Sequence, residues 1–177
     1  MKRLILVRHA KSSWKHDHIA DLDRPLNGRG RRDAPYMAEM FGEQQIKVDA
    51  ILTSPATRAL RTAQHFAEAL DFPERLIQTD SQLYYLDTPG LTQLVRDLPD
   101  EYTTVMIFGH NPGLTLLANH LVGYFTNKIK TTGIAILDFD LDNWMDIKPE
   151  SGTLFKHLYP KQFVDLVSKP KVPLHNA

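Results

Sequence analysis

Short apolar runs alternate with longer amphipathic stretches along this chain of 177 residues, and this alternation restricts the fold more than any other feature. The runs at residues 4–7, 50–53 and 104–108 consist almost entirely of apolar and β-branched residues, which is typical of parallel strands buried on both faces. The stretches between them have apolar residues at helical spacing. We therefore predict an α/β fold of three layers, with a mostly parallel central sheet and helices on both faces.

Local signals place the ends of these elements. Asn27 precedes an amphipathic stretch and is predicted to be the N-cap of a helix that continues to about residue 45, although Pro35 lies inside it. Ser54 followed by Pro55 predicts the cap and first turn of a second helix. After Gly123 three short apolar runs follow one another without helices, which predicts antiparallel strands at one edge of the sheet: residues 134–139, 144–147 and 153–158.

Length and composition limit the possible functions. We expect one domain over residues 1–168 and a loosely ordered tail over residues 169–177, where two prolines stand among few apolar anchors. The 21 basic residues balance the 21 acidic ones, which argues against nucleic acid or a membrane surface as the main partner. The absence of cysteine excludes disulfides and thiolate metal sites. No apolar run reaches the roughly 20 residues of a membrane helix, and we expect a cytoplasmic protein.

Polar residues suited to phosphate chemistry follow three of the predicted strands. Arg8 and His9 follow the first, Arg58 lies in the helix after the second, and His110 lies in a Gly-His-Asn-Pro-Gly turn after the third. Each fits a structural role by itself, but the carboxyl ends of parallel strands meet on one rim, where all four are predicted to converge. Guanidinium groups bind phosphoryl oxygens, and an imidazole can attack phosphorus.

These three segments together resemble the signatures of the histidine phosphatase superfamily, and most closely those of its SixA-type phosphohistidine phosphatases. The segments are Leu-Val-Arg-His-Ala-Lys, Thr-Ser-Pro-x-x-Arg-Ala-x-x-Thr-Ala and Gly-His-Asn-Pro-Gly, and the resemblance covers residues 2–160. It implies a phosphoglycerate mutase-like fold and no metal or other cofactor. It also implies that His9 is the nucleophile that becomes phosphorylated, and that Arg8, Arg58 and His110 surround the phosphoryl oxygens. Ser12 and Arg24 are further candidates for substrate binding.

The chain departs from the superfamily pattern at the carboxylic general acid, because no carboxylate stands at the usual place. Asp87, Asp21 and Asp23 are the candidates nearest to it. A phosphate ester leaves as an alkoxide and needs a proton donor, whereas phosphohistidine can leave as neutral imidazole and needs less help. We therefore expect a metal-independent phosphatase that acts on phosphohistidine in a protein, such as a histidine-containing phosphotransfer domain.

Two other functions stay open at this point. One is a phosphatase or mutase for small phosphate esters, such as sugar phosphates or nucleotides, and the other is a phosphate-binding module without catalysis. An arginine cluster near the start of the first long helix also has two interpretations, namely a solvated helix start or a surface that attracts an anionic protein. Its members are Arg24, Arg29, Arg31 and Arg32.

Overall fold

A six-stranded sheet forms the centre of the protein in a computed structural model that describes residues 1–125 and 128–163. In spatial order the strands are β3-β2-β4-β1-β5-β6. The first four strands in the chain run parallel to one another, while β5 is antiparallel to β1 and β6 is antiparallel to β5. The predicted antiparallel edge is confirmed. The strands are β1 (Lys2–Arg8), β2 (Ala50–Thr53), β3 (Gln78–Thr79), β4 (Thr104–Gly109), β5 (Ile134–Phe139) and β6 (Gly152–Leu158).

Helices cover both faces of this sheet and complete the predicted three layers. In β1, Leu4 and Leu6 pack in one core with residues of α4 and α5, whereas Ile5 and Val7 pack in the other core with residues of α1 and α2. This alternation follows from the two-residue period of a strand with both faces buried. The helices are α1 (Gly28–Gly42), α2 (Thr57–Ala69), the single turn α3 (Gln82–Tyr85), α4 (Thr88–Arg96) and α5 (Gly113–Val122).

The first helix begins where the sequence predicts. The side chain of Asn27 accepts a hydrogen bond from the backbone N–H of Gly30, as an N-cap does. The helix continues through Pro35, because Met37 and Phe41 beyond it are fully buried against the sheet. Burial of these side chains outweighs the one backbone hydrogen bond that the proline removes.

Two local predictions are wrong. Ser54 does not cap α2. The helix begins at Thr57, and its N-cap residue is Ala56, which makes no side-chain capping hydrogen bond. The apolar residues from Trp144 onwards form a turn of 3₁₀ helix rather than a strand. Trp144 is fully buried there, and its indole N–H donates to the carbonyl of Tyr102. A buried 3₁₀ turn of this kind can have the same run of apolar residues as a strand, and the sequence alone does not distinguish the two.

Two further features concern the limits of the described chain. Among residues 1–125 and 128–163, no helix combines the length and the apolar character needed to cross a bilayer. The predicted tail, residues 169–177, lies outside the described residues.

Candidate active site

The carboxyl ends of β1, β2 and β4 bring four predicted residues to one rim. Arg8 ends β1 and pairs with Gly109 at the end of β4, so that His9 and His110 follow from neighbouring strands. Arg58 reaches the same place from the first turn of α2. The result is a cavity of about 200 Å³, lined by Arg8, His9, Arg58 and His110 together with Ser12 and Arg24, among other residues.

The His9 ring has a fixed tautomer. Its Nδ1 lies 2.7 Å from the backbone carbonyl oxygen of Ala10. A carbonyl oxygen only accepts hydrogen bonds, so Nδ1 carries the proton and donates. Nε2 is therefore the nitrogen with a free lone pair, as a nucleophilic imidazole requires.

The loop that carries His9 is tied to α2 through Thr62. The backbone N–H of Ala10 donates to Thr62 Oγ1 over 2.9 Å, and this hydroxyl donates to the carbonyl of Arg58 over 2.7 Å. Thr62 is fully buried. One threonine thus links the backbone beside His9 to the backbone of Arg58.

The start of α1 packs tightly on the same loop. The backbone N–H of Asn27 donates to the carbonyl of Lys11. A Cβ atom on Gly30 would lie 2.1 Å from that carbonyl oxygen. Only glycine permits this approach of two backbones, which sets the position of the loop behind His9.

Three nitrogens of the site are buried without a hydrogen-bond partner among the described residues: Arg8 Nε, Arg58 Nε and His110 Nδ1. The other nitrogens of these groups hold them in place. Arg8 Nη1 donates to the carbonyl of Ile129, and both Nη atoms of Arg58 donate to Asp21. Buried polar atoms are nearly always paired. Unpaired donors on three side chains of one cavity therefore indicate a site for an anionic, oxygen-rich ligand.

Burial keeps both imidazoles neutral in the empty site. It lowers the pKa of His9 to about 3; the hydrogen bond to the carbonyl of Ala10 opposes this shift, and the charges of Arg58 and Arg8 add to it. It also lowers the pKa of His110 to about 4, and the charge of Arg58 adds to this effect. Both side chains are therefore uncharged near neutral pH.

The three candidate general acids occupy different places. Asp21 accepts hydrogen bonds from Arg24, Arg58 and the Tyr84 hydroxyl, and these contacts, led by Tyr84, hold its pKa well below its ordinary value. The side chain of Asp23 is exposed. Asp87 caps α4 by accepting from the backbone N–H of Gly90, and it lines a neighbouring cavity instead of the one around His9.

Ser12 and Arg24 lie together at the edge of the cavity. Arg24 Nη1 donates to Ser12 Oγ over 2.6 Å, and its guanidinium carbon lies 3.6 Å from the ring centre of the exposed Trp14. Of the four clustered arginines, Arg24 lines the cavity. The others lie in the first turns of α1, where Arg29 and Arg32 pair with the buried Asp33, and Arg31 donates to the carbonyl of Leu26.

Sequence reasoning missed three supporting residues. Thr62 belongs to the second motif, and its position one helical turn after Arg58 is the signal that the sequence offers. Ser54 belongs to the same motif, but its place before Pro55 predicts a helix cap instead of a contact with His110. Tyr84, whose ring packs edge-on against His110 with centroids 5.5 Å apart, carries no signal in the sequence.

In the part of the chain that the structure describes, no group of three or more histidine, cysteine, aspartate or glutamate side chains could hold a metal ion.

Comparison with known proteins agrees with this geometry. Residues 4–84 match the family model of the histidine phosphatase superfamily (branch 1). An uncharacterized protein of Mycobacterium leprae is 32% identical over 167 residues, a match that covers 88% of this chain and all of the relative. The chain belongs to the histidine phosphatase superfamily.

Within that superfamily, SixA structures share the fold. The protein assigned as the phosphohistidine phosphatase SixA in Agrobacterium tumefaciens superposes with a TM-score of 0.77 at 26% identity, covering 90% of this chain and 98% of its own. A protein histidine phosphatase SixA in complex with tungstate gives 0.78 at 21% identity, covering 91% and 99%. The predicted phosphoglycerate mutase-like α/β fold is confirmed.

Proposed function

We propose that this protein is a metal-independent phosphatase that removes the phosphoryl group from phosphohistidine in a protein, through a covalent intermediate on His9. One observation carries the proposal. The imidazole of His9, with its single free lone pair, shares a cavity with three side chains that each have a buried nitrogen without a hydrogen-bond partner among the described residues. A nucleophile beside a set of unused donors matches a phosphoryl group in transfer.

In the first step His9 Nε2 attacks phosphorus. The new P–Nε2 bond forms as the P–N bond to the substrate histidine breaks, and the electron pair of that bond stays with the departing imidazole. If the substrate ring already carries a proton on its other nitrogen, it leaves as neutral imidazole. Arg8, Arg58 and His110 donate hydrogen bonds to the phosphoryl oxygens while charge shifts among them.

In the second step water attacks the phosphorus atom of the phosphoryl group on His9. The O–P bond forms, the P–Nε2 bond breaks, and inorganic phosphate leaves with the oxygen of water while the released proton goes to phosphate or solvent. The contact from Nδ1–H to the carbonyl of Ala10 serves both steps. It keeps the lone pair on Nε2 before attack and stabilises the cationic ring while the phosphoryl group is attached.

The acid–base groups favour phosphohistidine over an ester as substrate. None of the described residues lining the His9 cavity is a carboxylate. Asp21, which borders it through Arg58, is held in its ionised form by its hydrogen bonds to Tyr84, Arg24 and Arg58. An alkoxide leaving group would find no protonated carboxyl group here, whereas an imidazole leaving group needs none.

The proposal is tested by comparing substrates side by side in the presence of EDTA. We expect kcat/KM for a phosphohistidine-bearing phosphotransfer domain to exceed that for a phosphoserine peptide or a sugar phosphate by at least about tenfold, or roughly 1.4 kcal/mol of barrier. A preference for the sugar phosphate would favour the small-ester phosphatase or mutase. Binding of inorganic phosphate without turnover of any substrate would favour the non-catalytic module.

A further inference from the structure

Ser54 lies beneath the site and is fully buried directly after the last residue of β2. Its Oγ is 2.8 Å from His110 Nε2. The backbone N–H of Ala56 donates to the same oxygen over 3.2 Å. This hydroxyl therefore connects the loop before α2 with one of the two imidazoles of the site.

The direction of the contact between Ser54 and His110 follows from the available donors and acceptors. The hydroxyl hydrogen of Ser54 needs an acceptor, and among the described residues the side-chain oxygen has contacts only with Ala56 N–H and His110 Nε2. Ala56 N–H is itself a donor. If Nε2 also carried a proton, the buried hydroxyl hydrogen would have no acceptor. Nε2 is therefore the acceptor, and the proton of the neutral ring is on Nδ1.

We propose that Ser54 is a positioning residue that holds His110 in its Nδ1–H tautomer, so that a neutral imidazole donates a hydrogen bond to the phosphoryl group. His110 Nδ1 is one of the buried nitrogens that have no partner in the part of the chain that the structure describes. The ring stands 5.1 Å from the His9 ring, centroid to centroid. The purpose of the tautomer rests on the proposed function, but the tautomer itself can be measured without turnover.

The choice of tautomer matters because His110 is not a cation in the empty site. Burial and Arg58 lower its pKa to about 4. A neutral ring has one N–H, so a proton on Nε2 would leave a lone pair on Nδ1, the nitrogen that no other described residue contacts by a hydrogen bond. A lone pair facing phosphoryl oxygens repels them, whereas an N–H attracts them.

The first test is made on the wild-type protein. In long-range ¹H–¹⁵N spectra of protein labelled in histidine, near pH 7, we expect His110 to show a protonated Nδ1 and an unprotonated Nε2. The signals are assigned by their loss in His110→Asn. A protonated Nε2 in the wild type would overturn the proposal whether or not the protein is a phosphatase.

The second test removes the hydroxyl. In Ser54→Ala we expect the Nε2–H tautomer of His110 to become populated, and kcat for the phosphohistidine protein to fall about tenfold, less than on removing His110 itself. The matched control is Thr53→Val, which removes a neighbouring, fully buried hydroxyl that donates to the carbonyl of Ser54 and does not contact His110. We expect the control to keep the wild-type tautomer and kcat.

The outcomes separate this inference from the proposed function. An unchanged tautomer and an unchanged kcat in folded Ser54→Ala would overturn the role of Ser54. Equal losses of kcat in both variants, with the Nδ1–H tautomer kept in both, would indicate a structural effect and also overturn it. An Nδ1–H tautomer that depends on Ser54, in a protein without phosphatase activity, would leave the tautomer assignment standing and contradict the proposed function.

Discussion

The rings of His9 and His110 lie 5.1 Å apart between centroids, with their planes inclined by 53°. In each ring one nitrogen contacts a group outside this pair. His9 Nδ1 contacts the carbonyl of Ala10, and His110 Nε2 contacts the hydroxyl of Ser54. The other nitrogen of His9 has a lone pair, and that of His110 carries the proton if Ser54 donates to Nε2 as we propose. One ring is therefore suited to attack phosphorus and the other to bind its oxygens.

The side chains proposed to bind the phosphoryl oxygens, namely Arg8, Arg58 and His110, are expected to tolerate little change. Arg58→Ala should lower kcat for the phosphohistidine protein by about 10²-fold or more, because it removes a guanidinium group that we propose donates to the phosphoryl oxygens in the transition state. Arg58→Lys should also lose most activity. The guanidinium group makes two contacts to Asp21 through its Nη atoms and still has Nε available for a phosphoryl oxygen, whereas a single ammonium group cannot do both. Arg61→Ala, on the exposed side of the same helix, is the matched control and should keep wild-type kcat.

Asp21 is expected to brace Arg58 instead of donating a proton. Because its pKa is lowered, Asp21→Asn should leave the shape of the pH–rate profile above about pH 5 unchanged and lower kcat/KM by less than about tenfold. Asp23→Asn serves as the exposed neighbouring control. Disappearance of a basic limb of the profile in Asp21→Asn, together with complete loss of ester hydrolysis, would show that Asp21 is the general acid after all.

For Asp87, a role as helix cap can be separated from a role as general acid, since asparagine caps a helix about as well as aspartate. Asp87→Asn keeps the cap on α4 but removes the carboxyl group, and we expect wild-type stability and kcat. Asp87→Ala should lower the free energy of unfolding by about 1 kcal/mol. A large loss of kcat in Asp87→Asn alone would contradict the assignment of this residue to the helix cap.

Stability should fall in mild acid. Free histidine in the unfolded chain binds a proton near pH 6.5, whereas folded His110 does so only near 4 and His9 near 3. Between these values the unfolded state binds more protons, so the free energy of unfolding decreases as the pH falls. His157, whose pKa burial also lowers, acts in the same direction.

Denaturant titrations at about pH 7.5 and about pH 5 measure this decrease. His9→Asn and His110→Asn should each make the decrease smaller than in the wild type. His18→Asn, which changes an exposed histidine of the loop before Asp21, should leave it unchanged. An equal decrease in all four proteins would contradict the burial argument.

Backbone packing behind His9 can be tested with two glycines of α1. Gly30→Ala would place a Cβ atom 2.1 Å from the carbonyl oxygen of Lys11, and we expect it to lower the free energy of unfolding by about 2 kcal/mol or more. Gly42→Ala is the matched control, because its nearest contact is 3.7 Å away. Equal stability of the two variants would show that the loop yields to the added carbon.

Regular elements were predictable because they depend on local pattern. The alternation of buried strands and amphipathic helices marks β1, β2 and β4, and the cap at Asn27 marks the start of α1. The same local pattern gave a wrong prediction at Trp144, which lies in a 3₁₀ turn and not in a strand. Its burial depends on hydrogen bonds to Tyr102 and Asp100, which are more than 40 positions away and leave no local trace.

At the site, the residues named by the motifs were predictable, but their supports were not. Arg8, His9, Arg58 and His110 converge because three strand ends share one rim. The contacts that orient them come from elsewhere in the chain, such as the Ile129 carbonyl on Arg8 and the Asp21 carboxylate on Arg58. A backbone carbonyl can belong to any residue, so no residue type marks its role.

The central claim is that His9 carries the phosphoryl group during turnover. Wild-type protein is mixed with a ³²P-labelled phosphohistidine phosphotransfer domain, quenched in alkali within the first turnover, digested and mapped. We expect an acid-labile, alkali-stable label on the peptide that contains His9, and neither label nor turnover in folded His9→Ala. Normal turnover in His9→Ala, or a label on another residue, would contradict the account.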